Sequence, residues 1–298
     1  MRREVNAMIF AVKPFEIHDG DGIRTTVFFK GCPLRCKWCH NPESFSSRRE
    51  VLYDAERCVS CLKCTALCAA NTCVDGVHTF DRAACTACGA CESVCPFGAL
   101  EPIGRTPTPQ ALAEELLRDA IFMKSSGGGV TFSGGEPLLQ IDYCVELAQI
   151  LRREGIDLAV DTCAYVPQES IEKILPYTGT FLFDVKAISP DVHRACTGVD
   201  NEQILANIRF ADEQGIPMEI RYPYVPTYND GEALAVAQFA ATLKHLKVLR
   251  ILPYHGYADR KYACLGMTYP TASLPSPDRF ALESLASQMR VYVNTVVG

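Results

Sequence analysis

A chain of 298 residues with 48% hydrophobic content can bury a sizeable core, as one large domain or two smaller ones. Its net charge of −6, with no Lys/Arg stripe, argues against a nucleic-acid partner. No segment approaches the roughly 18 uninterrupted apolar residues of a membrane span. The apolar run from Ala7 to Val12 stops at Lys13, too short for a secretory signal. Sixteen cysteines without an export signal point to metal binding in the reducing cytoplasm rather than to disulfides.

Residues 23–30, β-branched and aromatic, predict a buried strand, preceded by a turn at Gly20 and Gly22. The stretch that follows carries Cys32-x3-Cys36-x2-Cys39. Three thiolates at this spacing can wrap one face of a [4Fe–4S] cubane and leave its fourth iron without a protein ligand. An open coordination position binds substrate in catalytic metal sites, so the spacing predicts chemistry rather than electron storage alone. A zinc site is the competing reading, but no fourth cysteine or suitably placed histidine completes a tetrahedron here. His40, adjacent to Cys39, is read as structural or as supporting a ligand.

From about residue 51 the character changes: Cys58-x2-Cys61-x2-Cys64-x3-Cys68 is followed by Cys85-x2-Cys88-x2-Cys91-x3-Cys95-Pro96. This is the bacterial two-cluster ferredoxin run written twice, in which the fourth cysteine crosses over. Cys58, Cys61, Cys64 and Cys95 are expected to hold one cluster, and Cys85, Cys88, Cys91 and Cys68 the other. Cys73 is off register and read as structural; Cys144, Cys163, Cys196 and Cys264 read as buried small side chains. Thr106-Pro107-Thr108-Pro109 forms the exit, with Thr108 a candidate N-cap.

Beyond it helices and strands alternate. Strands are expected at 130–132, 158–160, 181–185, 218–220 and 248–252. Helices are expected around residues 109–123, 141–154, 167–176, 201–214 and 231–245, with a last one after Pro277. Six strands alternating with helices, mostly as continuous apolar runs, indicate an α/β fold: a partial (β/α)6 barrel with an inserted α+β ferredoxin-like domain. The expected division is 1–50 for the first part of the barrel, 51–104 for the insert and 105–298 for the remainder.

Parallel α/β barrels assemble their sites at the carboxyl ends of the strands, and the unusual polar residues fall there. Strand ends lead into Gly134-Gly135-Glu136, Asp161-Thr162, Asp184 and Lys186, Arg221 and His255. Adjacent glycines let backbone approach a ligand ammonium, with Glu136 holding the loop or accepting a hydrogen bond. Lys186 and Arg221 can neutralise a carboxylate, and Trp38 offers a flat face to adenine. Asp161 and Asp184, ending neighbouring strands, would repel each other unless a cation or Lys186 lies between them.

His18-Asp19-Gly20-x-Gly22-Ile23-Arg24-Thr25, the cysteine loop through Asn41-Pro42-Glu43, and Thr131 to Pro137 carry a specific match. Asp184-Val185-Lys186, Thr197-Gly198, Tyr228-Asn229-Asp230 and Leu252-Pro253-Tyr254-His255 extend it, with Lys261-Tyr262 and Leu265-Gly266. Together these motifs resemble the glycyl-radical enzyme activating enzymes, a family of radical S-adenosylmethionine (radical SAM) enzymes, in the subclass with a two-cluster insert. The resemblance implies that Cys32, Cys36 and Cys39 hold the catalytic cluster. It implies that Asn41, Gly134, Gly135, Glu136, Lys186, Arg221 and His255 line the S-adenosylmethionine site. Asp161, Thr162 and Asp184 match positions where a relative binds a monovalent cation. Two departures stand out: Asp21 replaces the usual proline of the first motif, and Ala164 a frequent glycine.

The activity so implied is reductive cleavage of S-adenosylmethionine to methionine and a 5′-deoxyadenosyl radical, which takes hydrogen from a backbone glycine of a partner enzyme. Three [4Fe–4S] clusters, an electron donor of the flavodoxin or ferredoxin type and anaerobic metabolism go with it, and nothing demands more than a monomer. Two alternatives stay open: the same radical chemistry on a small molecule or another protein, and an electron-shuttling polyferredoxin. The latter accounts for residues 51–100 but not for the three-cysteine loop.

Overall fold

The computed structural model describes residues 5–298. In chain order its strands are β1 (Ile9–Glu16), β2 (Arg24–Phe29), β3 (Glu50–Tyr53), β4 (Asn71–Val74), β5 (Val77–Phe80) and β6 (Leu100–Ile103). They continue as β7 (Gly129–Gly134), β8 (Asp157–Thr162), β9 (Thr180–Asp184), β10 (Met218–Tyr224), β11 (Leu246–Pro253) and β12 (Thr295–Val297). The main sheet runs β1-β2-β7-β8-β9-β10-β11-β12, parallel except for β1, with β1 and β12 at its edges. This is a mixed α/β fold built on a mostly parallel sheet, consistent with a partial barrel.

The six expected strands are β2 and β7 to β11. Buried on both faces, they read as apolar runs; all six residues of β2 are buried. The two edge strands were not expected. β1 alternates too weakly to signal itself, and three-residue β12 gains its order from pairing with Leu249–Ile251.

Helices cover the outside of the sheet with the faces that their spacing predicts. Leu112 and Leu116, then Tyr143, Leu147 and Leu151, then Ile204, Ile208 and Ala211 join one apolar core. Thr108 caps the helix Pro109–Leu116, its hydroxyl accepting from the Ala111 N–H at 3.2 Å. The helix expected at 231–245 is shorter, Ala233–Ala240. Its continuation is lost because the Asp212 carboxylate accepts from the backbone N–H groups of Lys244 and His245 at 3.0 and 2.8 Å. Two helices that were not expected, Pro190–Thr197 and Asp259–Cys264, prove to frame the cysteine loop.

Between β2 and β7 the chain leaves the sheet. β3 and β6 pair antiparallel from Glu50↔Ile103 to Tyr53↔Leu100, and β4 pairs with β5 beyond this stem. The α component expected here is absent: among the described residues, only 3-10 turns accompany the four strands between Glu50 and Ile103. Frequent cysteines and turns leave no run long enough for helix nucleation. Among the described residues no helix is long and apolar enough to cross a membrane.

Candidate functional site

The loop carrying Cys32, Cys36 and Cys39 leaves the carboxyl end of β2 and is pinned through its backbone. Gly31 N–H donates to Ser44 O at 2.8 Å, Arg35 N–H to Thr197 O at 2.8 Å, and Lys37 N–H to Cys196 O at 3.0 Å. The last two contacts come from the helix Pro190–Thr197, so a remote segment shapes the loop. The three sulfurs lie within electrostatic reach of one another and of Lys186. Burial pushes the Cys36 thiol up to about 12, with Lys186 opposing, and Cys39 is raised by burial as well. Unassisted, these groups stay protonated; a bound metal would supply the positive charge that ionises them.

The glycine pair answers a packing demand. Gly134 has φ +113, and a Cβ there would lie 2.4 Å from Phe29 N; one on Gly135 would lie 2.3 Å from Gly31 O. Gly135 N–H donates to Phe29 O at 2.9 Å and Glu136 N–H to Gly31 O at 2.8 Å, tying this turn to the start of the cysteine loop. Glu136 is 0% exposed. Its carboxylate accepts from Thr162 Oγ1 at 2.7 and 2.8 Å, from Cys163 N–H at 2.9 Å and from Leu138 N–H at 3.1 Å. Through these accepted hydrogen bonds Glu136 ties the turn after β7 to the end of β8. Burial raises its pKa against those hydrogen bonds.

A chain of charges crosses the strand ends. Lys186 Nζ lies 2.8 Å from Asp184 Oδ2; burial works against its charge, but Asp184 and Cys36 outweigh burial and hold its pKa up. Arg221 Nη1 lies 3.3 Å from Asp19 and 3.6 Å from Asp161, and its Nε lies 3.3 Å from Glu219. Arg221 is therefore ringed by carboxylates rather than free, and β10 continues three residues beyond it. Asp161 accepts from Ser133 Oγ at 2.6 Å. Burial pushes its carboxyl up to about 7, with Arg221 opposing and Asp184 and Asp19 adding to the rise.

Asp161, Thr162 and Asp184 thus sit on neighbouring strand ends, but their oxygens face different protein partners. Among the described residues no three His, Cys, Asp or Glu side chains converge as ligands of one ion.

Asn41 receives a hydrogen bond from Lys261 Nζ at 3.1 Å, and its backbone N–H donates to Cys39 Sγ at 3.4 Å. His255 stacks on His40 with ring centroids 4.0 Å apart, and its Nδ1 is buried without a partner, as an atom awaiting a ligand would be. Trp38, 6% exposed, lies mostly within an aromatic cluster with Tyr254, Tyr262 and Tyr269. Asp19, Glu219 and Lys261 were not singled out as site residues. The motif residues His18-Asp19 and Lys261-Tyr262 were the available signal. Cys163, expected to be a plain buried side chain, is buried and its thiol donates to Glu136 Oε2 at 3.0 Å.

In the excursion between β2 and β7, burial raises the Cys64 thiol, with Cys58, Cys95 and Cys61 adding to the rise. For Cys91 the neighbours are Cys85, Cys68 and Cys88. Cys58, Cys61, Cys64 and Cys95 line a single cleft. Cys73 is exposed rather than part of a core.

The family model of the radical SAM superfamily matches residues 83–240, and that of a 4Fe-4S single cluster domain matches residues 18–76. An isethionate sulfite-lyase activating enzyme from Nitratidesulfovibrio vulgaris is 36% identical, over 96% of this chain and 97% of its own. A choline trimethylamine-lyase activating enzyme from Oleidesulfovibrio alaskensis is 38% identical, over 97% of this chain and 96% of its own. The structure of a radical SAM methyltransferase from Sphaerobacter thermophilus shares the fold at 13% identity, with a TM-score of 0.54 over 97% of this chain and 76% of that one. A three-cysteine loop at the end of a parallel strand, together with these near-full-length matches, makes the chain a member of the radical SAM superfamily, among the activating enzymes of glycyl-radical enzymes.

Proposed function

We propose that the chain activates a glycyl-radical enzyme through a [4Fe–4S] cluster on Cys32, Cys36 and Cys39, with two further clusters in a ferredoxin-like insert. The observation that carries this reading is the placement of three mutually close, half-buried thiols beside Lys186 at the carboxyl end of β2, tied to the Gly134-Gly135 turn. When bound, the cluster supplies one electron to S-adenosylmethionine, whose cleavage yields methionine and the adenosyl radical that takes a glycine hydrogen from the partner.

The chain's residues would position and enclose. Lys186, held charged by Asp184, offers a cation to the methionine carboxylate. The unpartnered Nδ1 of His255 and the amide of Asn41 offer further polar contacts. Glu136 and Thr162 keep the glycine turn against the loop, so that ligand atoms meet a preset backbone. The sets Cys58, Cys61, Cys64, Cys95 and Cys85, Cys88, Cys91, Cys68 would relay electrons from a flavodoxin or ferredoxin.

The test is anaerobic reconstitution followed by reduction in the presence of S-adenosylmethionine and the candidate partner. The reading expects 5′-deoxyadenosine together with a glycine-centred radical signal on the partner. Cys36→Ala should abolish both while leaving the iron of the insert in place. Cleavage that survives Cys36→Ala would refute it.

A further inference from the structure

We propose that His78, oriented by Asn71, tunes the cluster on Cys58, Cys61, Cys64 and Cys95 by raising its reduction potential. This rests on the reading that those four cysteines hold a [4Fe–4S] cluster. His78 is the one histidine between residues 51 and 104. It lies on β5, is 3% exposed, and lines the same cleft as the four cysteines. Its Nδ1 is 3.6 Å from Cys58 Sγ and its Nε2 is 2.9 Å from Asn71 Oδ1. Tyr53 packs edge-on to the ring, centroids 5.0 Å apart, and its hydroxyl donates to His78 O at 3.5 Å. The backbone N–H of His78 donates to Ser60 Oγ at 3.1 Å, fixing the strand to the cysteine loop.

An iron-bound Cys58 carries no proton, so its contact with His78 requires a proton on Nδ1. In a neutral imidazole Nε2 is then an acceptor and must face an amide N–H. Asn71 Nδ2 is buried without a partner. The amide oxygen and nitrogen exchange places by a half-turn of the side-chain end, and their assignment follows from the network they join. That half-turn puts Nδ2 on the imidazole and leaves Oδ1 in its former place, and the proton that iron-bound Cys58 demands on Nδ1 is what selects it. The chain of donors then runs from Asn71 Nδ2–H to His78 Nε2, and from His78 Nδ1–H to Cys58 Sγ.

A hydrogen bond to a ligand sulfur stabilises the reduced, more negative cluster and raises its potential. One such bond corresponds to about tenfold in the reduction equilibrium, or ~59 mV for one electron. Each set has a backbone donor, Ala99 N–H to Cys95 Sγ at 3.3 Å in the first and Ala87 N–H to Cys85 Sγ at 3.3 Å in the second, so the imidazole at Cys58 is what sets the first apart. The step is a one-electron transfer from a reduced flavin or iron–sulfur protein, and His78 keeps its proton throughout.

The experiment is a redox titration of the reconstituted full chain with dithionite, followed by electron paramagnetic resonance, for wild type, His78→Phe and Asn71→Leu. The wild type should carry about twelve irons per chain, four per cluster. In His78→Phe one midpoint should fall by ~59 mV, tenfold in the equilibrium, with the other two unmoved. Asn71→Leu, which keeps the imidazole but removes its anchor, should lower the same midpoint by a smaller amount. Unmoved midpoints, or an equal fall in all three, would overturn the tuning role. Should His78→Phe lose iron, Asn71→Leu decides, and an unmoved midpoint there overturns it. About four irons in the wild type would instead remove the cluster reading beneath it.

Discussion

Lys261 reaches back across the chain to Glu43, its Nζ 2.7 Å from Oε1. Glu43 is buried and its second carboxylate oxygen has no partner, so this lysine is what balances a charge placed just past the cysteine loop. The same ammonium donates to His40 O at 2.8 Å, which makes the helix Asp259–Cys264 a clamp on the loop's exit.

Lys261→Met is therefore expected to cost about 1–3 kcal/mol, toward the lower end because the lysine side chain is partly solvated. Chemical denaturation of the reconstituted protein measures the loss. Lys261→Arg, which keeps the charge, should recover most of it.

Asp161 predicts a pH dependence. Its folded pKa, about 7, lies above the ordinary aspartate value of about 3.9, so the folded state holds the proton more tightly. The stabilisation is complete below about pH 4 and is lost as the pH rises toward 7. Urea midpoints without S-adenosylmethionine should decline across that window, and Asp161→Asn should flatten the decline. An equal slope in the variant would show that another group is responsible.

Alanine at position 134 or 135 must push against backbone, which has no rotamer to give. A loss of about 2–4 kcal/mol is expected from the collision and, at Gly134, from the left-handed conformation. Gly198→Ala is the control. It shares a positive φ of +87 but meets nothing within 4 Å, so strain alone should cost about 1–2 kcal/mol.

Arg82 couples the cysteine-rich excursion to the sheet domain, donating to Val51 O at 2.9 Å and to Cys264 O at 2.5 Å. A Cβ on Gly266 would stand 2.6 Å from its Nε, so glycine leaves the room that the guanidinium fills. Arg82→Leu strands two carbonyls, and faster amide exchange is expected in residues 259–266. Unchanged exchange there would mean that the Arg260–Asp54 pair, at 2.5 Å, holds the junction alone.

Legibility differed by kind of interaction. The six parallel strands could be read because burial on both faces forces continuous apolar runs. β1 and β12 could not, since an edge strand takes its order from pairing. Glu136 stood out in the sequence beside its glycine pair, but its hydrogen-bond partners did not, since Thr162 and Cys163 arrive from β8 and the turn after it. The ring of carboxylates about Arg221 was equally hidden. Asp19 stands 202 residues away, and Glu219 lies in the same strand with nothing in its spacing to mark it.

By itself the sequence determined which thiols lie near one another in the loop after β2, because a few residues of chain cannot carry Cys32, Cys36 and Cys39 apart. It determined the apolar strands and the helical faces for the same reason, since both are local periodicities. Only the tertiary structure decided which charges meet. Lys186 with Asp184 follows from a strand end, but Arg221 with Asp19 and Lys261 with Glu43 depend on how distant segments close over the strand ends. Electrostatic partnership is a matter of distance in space, and no spacing along the chain records it.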